Sequence, residues 1–117
     1  MLLIYGNEAE WSARTDDEVR TLMQGYGRLS EDLRAAGRLV RGDELQPVST
    51  ATSVQVRNGD TIVSDGPFAE TKDVLGGFYL IEAETLDEAI DWASRIPDAQ
   101  SGTIEVRPVV DHSGSSE

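Results

Sequence analysis

The 117-residue sequence contains no cysteine, and this one absence removes disulfides, thiolate metal sites and cysteine nucleophiles together. A reducing compartment suits such a chain, so the expected location is the cytoplasm. Histidine occurs once, as His112 near the C-terminal end. A Ser-His-Asp triad would need that residue in the wrong place, and a dedicated zinc or iron site has too few ligands to draw on. Lysine also occurs once, as Lys72; every other cationic side chain is arginine. Basic residues are scarce as a group, ten against 22 acidic ones, for a formal charge of −12. That balance repels phosphate backbones and anionic membrane surfaces, so no direct nucleic-acid binding and no membrane association are expected. There is no phosphate-cradling glycine loop followed by Lys-Ser or Lys-Thr, and no dinucleotide fingerprint after a strand. Long apolar runs are missing too. The opening Leu2-Leu3-Ile4-Tyr5 is too short for a signal-peptide core or a membrane span and reads as a first strand.

What is present is ordinary globular material, with 38% hydrophobic and 27% charged residues, enough for one core without disulfides or structural metal. One domain over residues 1–110 is expected, followed by a polar, serine-rich tail over 111–117 that frays. Thr15 with Glu18 makes a capping box. Behind it Val19, Leu22, Met23, Tyr26, Leu29 and Leu33 recur at helical spacing as one core-facing stripe, and Gly37 supplies the stop. Gly25 and Gly27 inside this helix mark a close backbone contact or a kink. A short strand over Arg38 to Leu45 follows. Thr52, Val54 and Val56 then alternate with polar residues, Asn58-Gly59 signals a type I′ turn, and Thr61 to Ser64 returns as a hairpin. Phe78 to Ile81 reads as a strand, Thr85 with Glu88 caps a second helix that Pro97 ends, and Thr103 to Val109 forms the last strand.

Strand, helix, strand, inserted hairpin, strand, helix, strand is the order of the ferredoxin-like split β-α-β arrangement, an α+β class. Both helices then cover one face of an antiparallel sheet and leave the other bare. A second subunit is the simplest cover. The expectation is a homodimer whose sheets pack face to face around a pocket at or near the interface.

The return strand of the hairpin runs into Asp65, Gly66, Pro67, Phe68, Ala69, Glu70, Thr71 and Lys72, the densest cluster of unusual chemistry in the chain. Asp65 is either a general base at a pocket mouth or a turn acid that accepts from backbone amides. Gly66 and Pro67 shape the turn. Phe68 is either an anchor buried under the loop or a platform for a ligand. Glu70 and Lys72 share a face of an extended segment and can pair across it. With Glu70 and Asp73 beside it, Lys72 favours a salt bridge or an anion contact over Schiff-base chemistry, and a carboxylate is its natural ligand partner. Tyr5 and Tyr79, on neighbouring strands, are candidate ligand donors. Trp11 reads as a lid or as a ring folded over the helix start, and Trp92 as packing.

On these residues the chain resembles the YCII-related superfamily, and in particular its DGPF branch. The resemblance runs through Leu2-Leu3-Ile4-Tyr5, Asp65 to Lys72, Gly76 to Ile81, and Gly102 to Pro108. It implies a dimeric ferredoxin-like α/β barrel, with an architecture related to muconolactone isomerases and small cofactor-independent monooxygenases; no cofactor is expected. Some YCII-like relatives place the histidine of a His-Asp pair on the first helix, where this chain has Gln24 and Gly25. DGPF-type domains also occur beside extracytoplasmic-function sigma factors. The resulting expectation is a dimeric module that binds a small organic acid, with a regulatory role linked to sigma-factor-dependent transcription. The site residues in that expectation are Tyr5, Phe68, Glu70, Lys72 and Tyr79. The alternative is a cofactor-independent isomerase or lyase with Asp65 as base, and a third option is a structural dimer without ligand.

Overall fold

A computed structural model describes residues 1–112. The elements in order are β1 (Leu2–Gly6), α1 (Glu8–Ser12), α2 (Asp16–Ala35), β2 (Leu39–Glu44), β3 (Thr52–Arg57), β4 (Asp60–Asp65), β5 (Val74–Ile81), α3 (Leu86–Ser94) and β6 (Thr103–Val106). Single 3₁₀ turns sit at Val48–Thr50 and Pro97–Gln100. The main sheet has the order β2-β5-β1-β6 with every neighbouring pair antiparallel. Two β-α-β units, β1-α2-β2 and β5-α3-β6, interleave to give that order, which is the one the split β-α-β arrangement requires. The chain is therefore α+β. The part of the expected tail from residue 113 onward lies outside the described residues.

Register decides which side chains meet the helices. Leu2 pairs with Tyr79 and Val106, and Ile4 with Gly77 and Ile104, so these residues share one face. Against that face α2 and α3 lay Leu29, Leu33 and Ala93, and Ile96 follows α3 into the same core. Each fully buried leucine or isoleucine there contributes about 1.5–3 kcal/mol.

The ends of α2 follow from its sequence. The Glu18 amide donates to Thr15 Oγ1 at 3.1 Å, and the Thr15 amide donates to Glu18 Oε1 at 2.9 Å, closing the capping box. At the other end Gly37 adopts φ +72°, while the Arg38 amide donates to the Leu33 carbonyl and the Gly37 amide to Arg34, a Schellman stop. Gly25 faces Pro97, where an added Cβ would lie 3.0 Å from the proline ring, whereas Gly27 has open space around it.

Only part of the expected core stripe is covered. Leu29 and Leu33 are buried, but Val19 and Met23 are 42% and 55% exposed. Twenty helical residues extend about 30 Å, whereas the five residues of β1 beneath them extend about 17 Å. The N-terminal half of α2 therefore overhangs the sheet.

Three local details differ from expectation. The loop after β1 contains the short helix α1, capped by Asn7, whose side chain accepts from the Glu10 amide at 3.1 Å. In α3 Thr85 accepts from the Glu88 amide, but the Glu88 carboxylate takes the Glu84 amide. The last strand stops at Val106, since the outer strand has only β1 to pair with and β1 begins at Leu2.

The β3–β4 hairpin forms its own two-stranded sheet, with Val54 opposite Val63 and positive φ at both Asn58 and Gly59, as a type I′ turn demands. All of its strand residues except Ser53 are exposed. The radius of gyration, 16.7 Å, exceeds the roughly 13 Å of a compact chain of this length, because the hairpin projects from the body.

Candidate functional site

Beneath the overhang of α2 lies a cleft of about 1110 Å³, walled by α2 on one side and the edge strand β2 on the other. The α2 wall offers Val19, Leu22, Met23, Tyr26, Ser30 and Arg34, a stripe along nearly the whole helix. The β2 wall runs antiparallel to it, from Leu39 beside the end of α2 to Leu45 and Pro47 beside α1. Trp11 closes that second end. Its ring lies against bare backbone, since a Cβ added at Gly6 or at Gly76 would come within 2.5 Å of it. Glycine at both positions is therefore a packing requirement. Gly42 has the same role for Tyr79, whose ring crosses β2 at 2.7 Å from where a Cβ would stand.

The inner wall carries a polar cluster. Asp98, 7% exposed, accepts from Arg14 Nη2 through Oδ1 at 2.5 Å and from the Tyr26 hydroxyl through Oδ2. Its backbone carbonyl takes the Gly102 amide at 2.8 Å, so the 3₁₀ turn after Pro97 holds the carboxylate in place. Burial first, and then the adjacent Asp98 carboxylate, push the Tyr26 phenol well above its ordinary pKa of 10, so it remains a protonated donor. The Tyr26 ring stacks on Tyr79 with centroids 6.4 Å apart, and the Tyr79 hydroxyl lies 2.9 Å from Ser30 Oγ. Among the described residues no buried side-chain nitrogen or oxygen lacks a partner.

Both Asp98 oxygens are occupied, the Glu8 carboxylate takes the Val48 amide at 2.8 Å, and Asp43 takes Arg41. In the Tyr79–Ser30 pair one hydroxyl donates to the other, which leaves one O–H uncommitted. Arg14 has one nitrogen on Asp98, and its other guanidinium N–H groups, like those of Arg34, meet no acceptor among the described residues. On the inner wall the donors of Arg14 and of the Tyr79–Ser30 pair are uncommitted and both Asp98 oxygens are committed, whereas nearer the rim Glu8 and Asp43 each keep one oxygen without a hydrogen bond among the described residues, and Ser12, Glu44 and Gln46 are exposed.

Of the residues expected from the sequence to form a site, Tyr79 lines this cleft. Tyr5 stands on the opposite face of the sheet, where it and, more strongly, Arg107 hold Glu105 below the ordinary carboxylate range. Asp65 ends β4 opposite Thr52 and is exposed; no hydrogen bond to its carboxylate occurs among the described residues. Backbone and a serine make the turn after it instead: Gly66 at φ +91° donates to Ala51 at 2.7 Å and accepts from Ser53 Oγ at 2.8 Å. Phe68 is 87% exposed, which corrects the reading of a ring anchored under its loop, since none of the described elements passes over that segment. Glu70 and Lys72 are exposed in the same loop, and the expected pairing between them is absent among the described residues. Trp92 packs on the core and donates to Glu88.

The residues sequence reasoning missed are Arg14, Ser30 and Asp98. Arg14 and Asp98 are 84 positions apart, and no local pattern joins them. The one available signal is Tyr26, a hydroxyl inside an otherwise apolar helical stripe, which implies a buried partner elsewhere.

The model for the YCII-related domain family matches residues 1–113. An uncharacterized protein of Rhizobium meliloti (strain 1021) is 39% identical over 110 residues, an alignment covering 92% of this chain and 89% of that protein.

Proposed function

The chain belongs to the YCII-related family, and from that premise we propose that it is a small-molecule-binding module that takes an organic acid in the α2–β2 cleft and works as a homodimer. The observation that carries this reading is the inner wall of the cleft, where Arg14 and the Tyr79–Ser30 pair keep free donors while both Asp98 oxygens are taken, beside the apolar Val19, Leu22, Met23 and Trp11. An apolar pocket with a few convergent polar groups is the usual form of a small-molecule site. At the inner wall a polyol finds no free side-chain acceptor beyond the two hydroxyls, and a cation finds no free carboxylate. A carboxylate or carbonyl on an apolar body uses what is there: Arg14 for the charge, the Tyr79–Ser30 pair for a second oxygen, and Trp11 with Met23 for the body. Anion recognition thus moves from the exposed Lys72 to Arg14. Support for the dimer is the uncovered sheet face bearing Leu3, Tyr5, Phe78 and Leu80. Support for a regulatory output through a sigma factor is the DGPF resemblance.

The test is a thermal-shift and tryptophan-fluorescence titration with benzoate, cyclohexanecarboxylate and their uncharged amides, on a Trp92→Phe background so that Trp11 reports alone. The acids raise the melting temperature and change Trp11 emission, and the amides bind at least tenfold more weakly. Arg14→Lys and Tyr79→Phe each weaken the acids, while Lys72→Ala leaves them unchanged. Equal responses in wild type and both cleft variants remove the cleft from the site.

A further inference from the structure

The β3–β4 hairpin carries a buried-face pattern that nothing else among the described residues covers. Pairing puts Val54, Val56, Thr61 and Val63 on one face, while Gln55, Arg57 and Asp60 stand on the other beside Ile62. Such alternation marks a half-buried strand. Yet Val54, Val56 and Val63 are 60%, 59% and 62% exposed, and Ile62 is 44% exposed. A two-stranded hairpin by itself is marginal in water.

We infer that this hairpin is an arm whose valine face packs against a second copy of the chain, an inference that rests on the homodimer reading above. Area points to a second copy. The bare face of the main sheet offers Leu3, Tyr5, Phe78 and Leu80, each less exposed than any of the three arm valines, so the arm adds apolar surface that the sheet face does not supply. At the observed exposures Val54, Val56 and Val63 present about 280 Å² on that face, and two arms with the surfaces they cover add about 1,100 Å² to the sheet contact, most of the roughly 1,200–2,000 Å² a stable interface needs. Two-fold symmetry uses both arms equally and closes the assembly.

The experiment is sedimentation velocity on wild type and on Val54→Lys/Val63→Glu, a pair that places opposite charges across the strands and so preserves the hairpin. Wild type sediments as a dimer, and the double variant dissociates with a constant raised at least 100-fold while its far-UV circular dichroism is unchanged. Because the chain has no cysteine, Val63→Cys carries one polarity-sensitive fluorophore, whose emission shifts to the red as the dimer is diluted apart. A double variant that dimerises as tightly as wild type overturns the arm. If Leu80→Lys dissociates while that variant does not, the homodimer stands and only the arm falls. A wild type that is monomeric at tens of micromolar overturns both.

Discussion

Replacing Asp98 by Asn tests how much the buried cluster holds the fold together. In the native protein one carboxylate receives a guanidinium from the corner before α2 and a phenol from the middle of α2, while its own backbone belongs to the turn before β6. Two regions distant in sequence, α2 with the corner before it and the turn before β6, meet at this group. Asparagine keeps the volume but removes the charge, and its amide nitrogen turns a donor toward either Arg14 or Tyr26. A hydrogen bond to a charged group is worth about 1.5–3 kcal/mol, and removing one partner of a buried pair costs about 3–5 kcal/mol. The Arg14 side chain is 19% exposed, so water offsets part of its loss. The expected destabilisation is about 2–4 kcal/mol, or about 8–16 °C in melting temperature for a chain of this size. Urea denaturation measures it, with Asp17→Asn as control. Asp17 also pairs with an arginine, Arg20, but its side chain is 89% exposed, and such pairs contribute about 0–1 kcal/mol. If both variants lose the same stability, the cluster does not tie the segments together.

Two further outcomes are expected. Gly27→Ala stabilises the protein by about 0.5–1 kcal/mol, because Gly27 lies inside a helix with nothing within 4 Å of an added Cβ, whereas Gly25→Ala gains less or loses stability against Pro97; paired melting curves compare them. The Glu18 carboxyl, held down first by the Thr15 amide and then by its hydroxyl, titrates below the ordinary 4.5. With the folded pKa depressed, its contribution is complete above about pH 4.5 and fades as pH falls through the lowered value, a midpoint that carbon-detected NMR reads directly.

Much of the fold was legible in the chain because it is written locally. The capping box, the Gly37 stop, the Asn58-Gly59 turn and the alternation of β3 and β4 each rest on residues within a few positions of one another. The candidate site was less so. The conspicuous run from Asp65 to Lys72 combines rare residue types, but in space it connects an exposed hairpin to β5, apart from the cleft. How much of the α2 stripe is covered is not legible either, since periodicity shows which face of a helix is apolar and not how far the sheet beneath it reaches. Helix α1 did have a signal, Asn7 followed by Glu10, too short to stand out.

The sequence by itself determined the family, the α+β order of elements, the ends of the long helix, the hairpin and the absence of cysteine, because each follows from composition or short-range pattern. Tertiary structure decided that Arg14, Tyr26 and Asp98 converge, that glycines at 6, 42 and 76 give way to aromatic rings, and that the valine face of the hairpin is left bare. Those facts depend on which distant segments the sheet order brings side by side, and no local spacing encodes that.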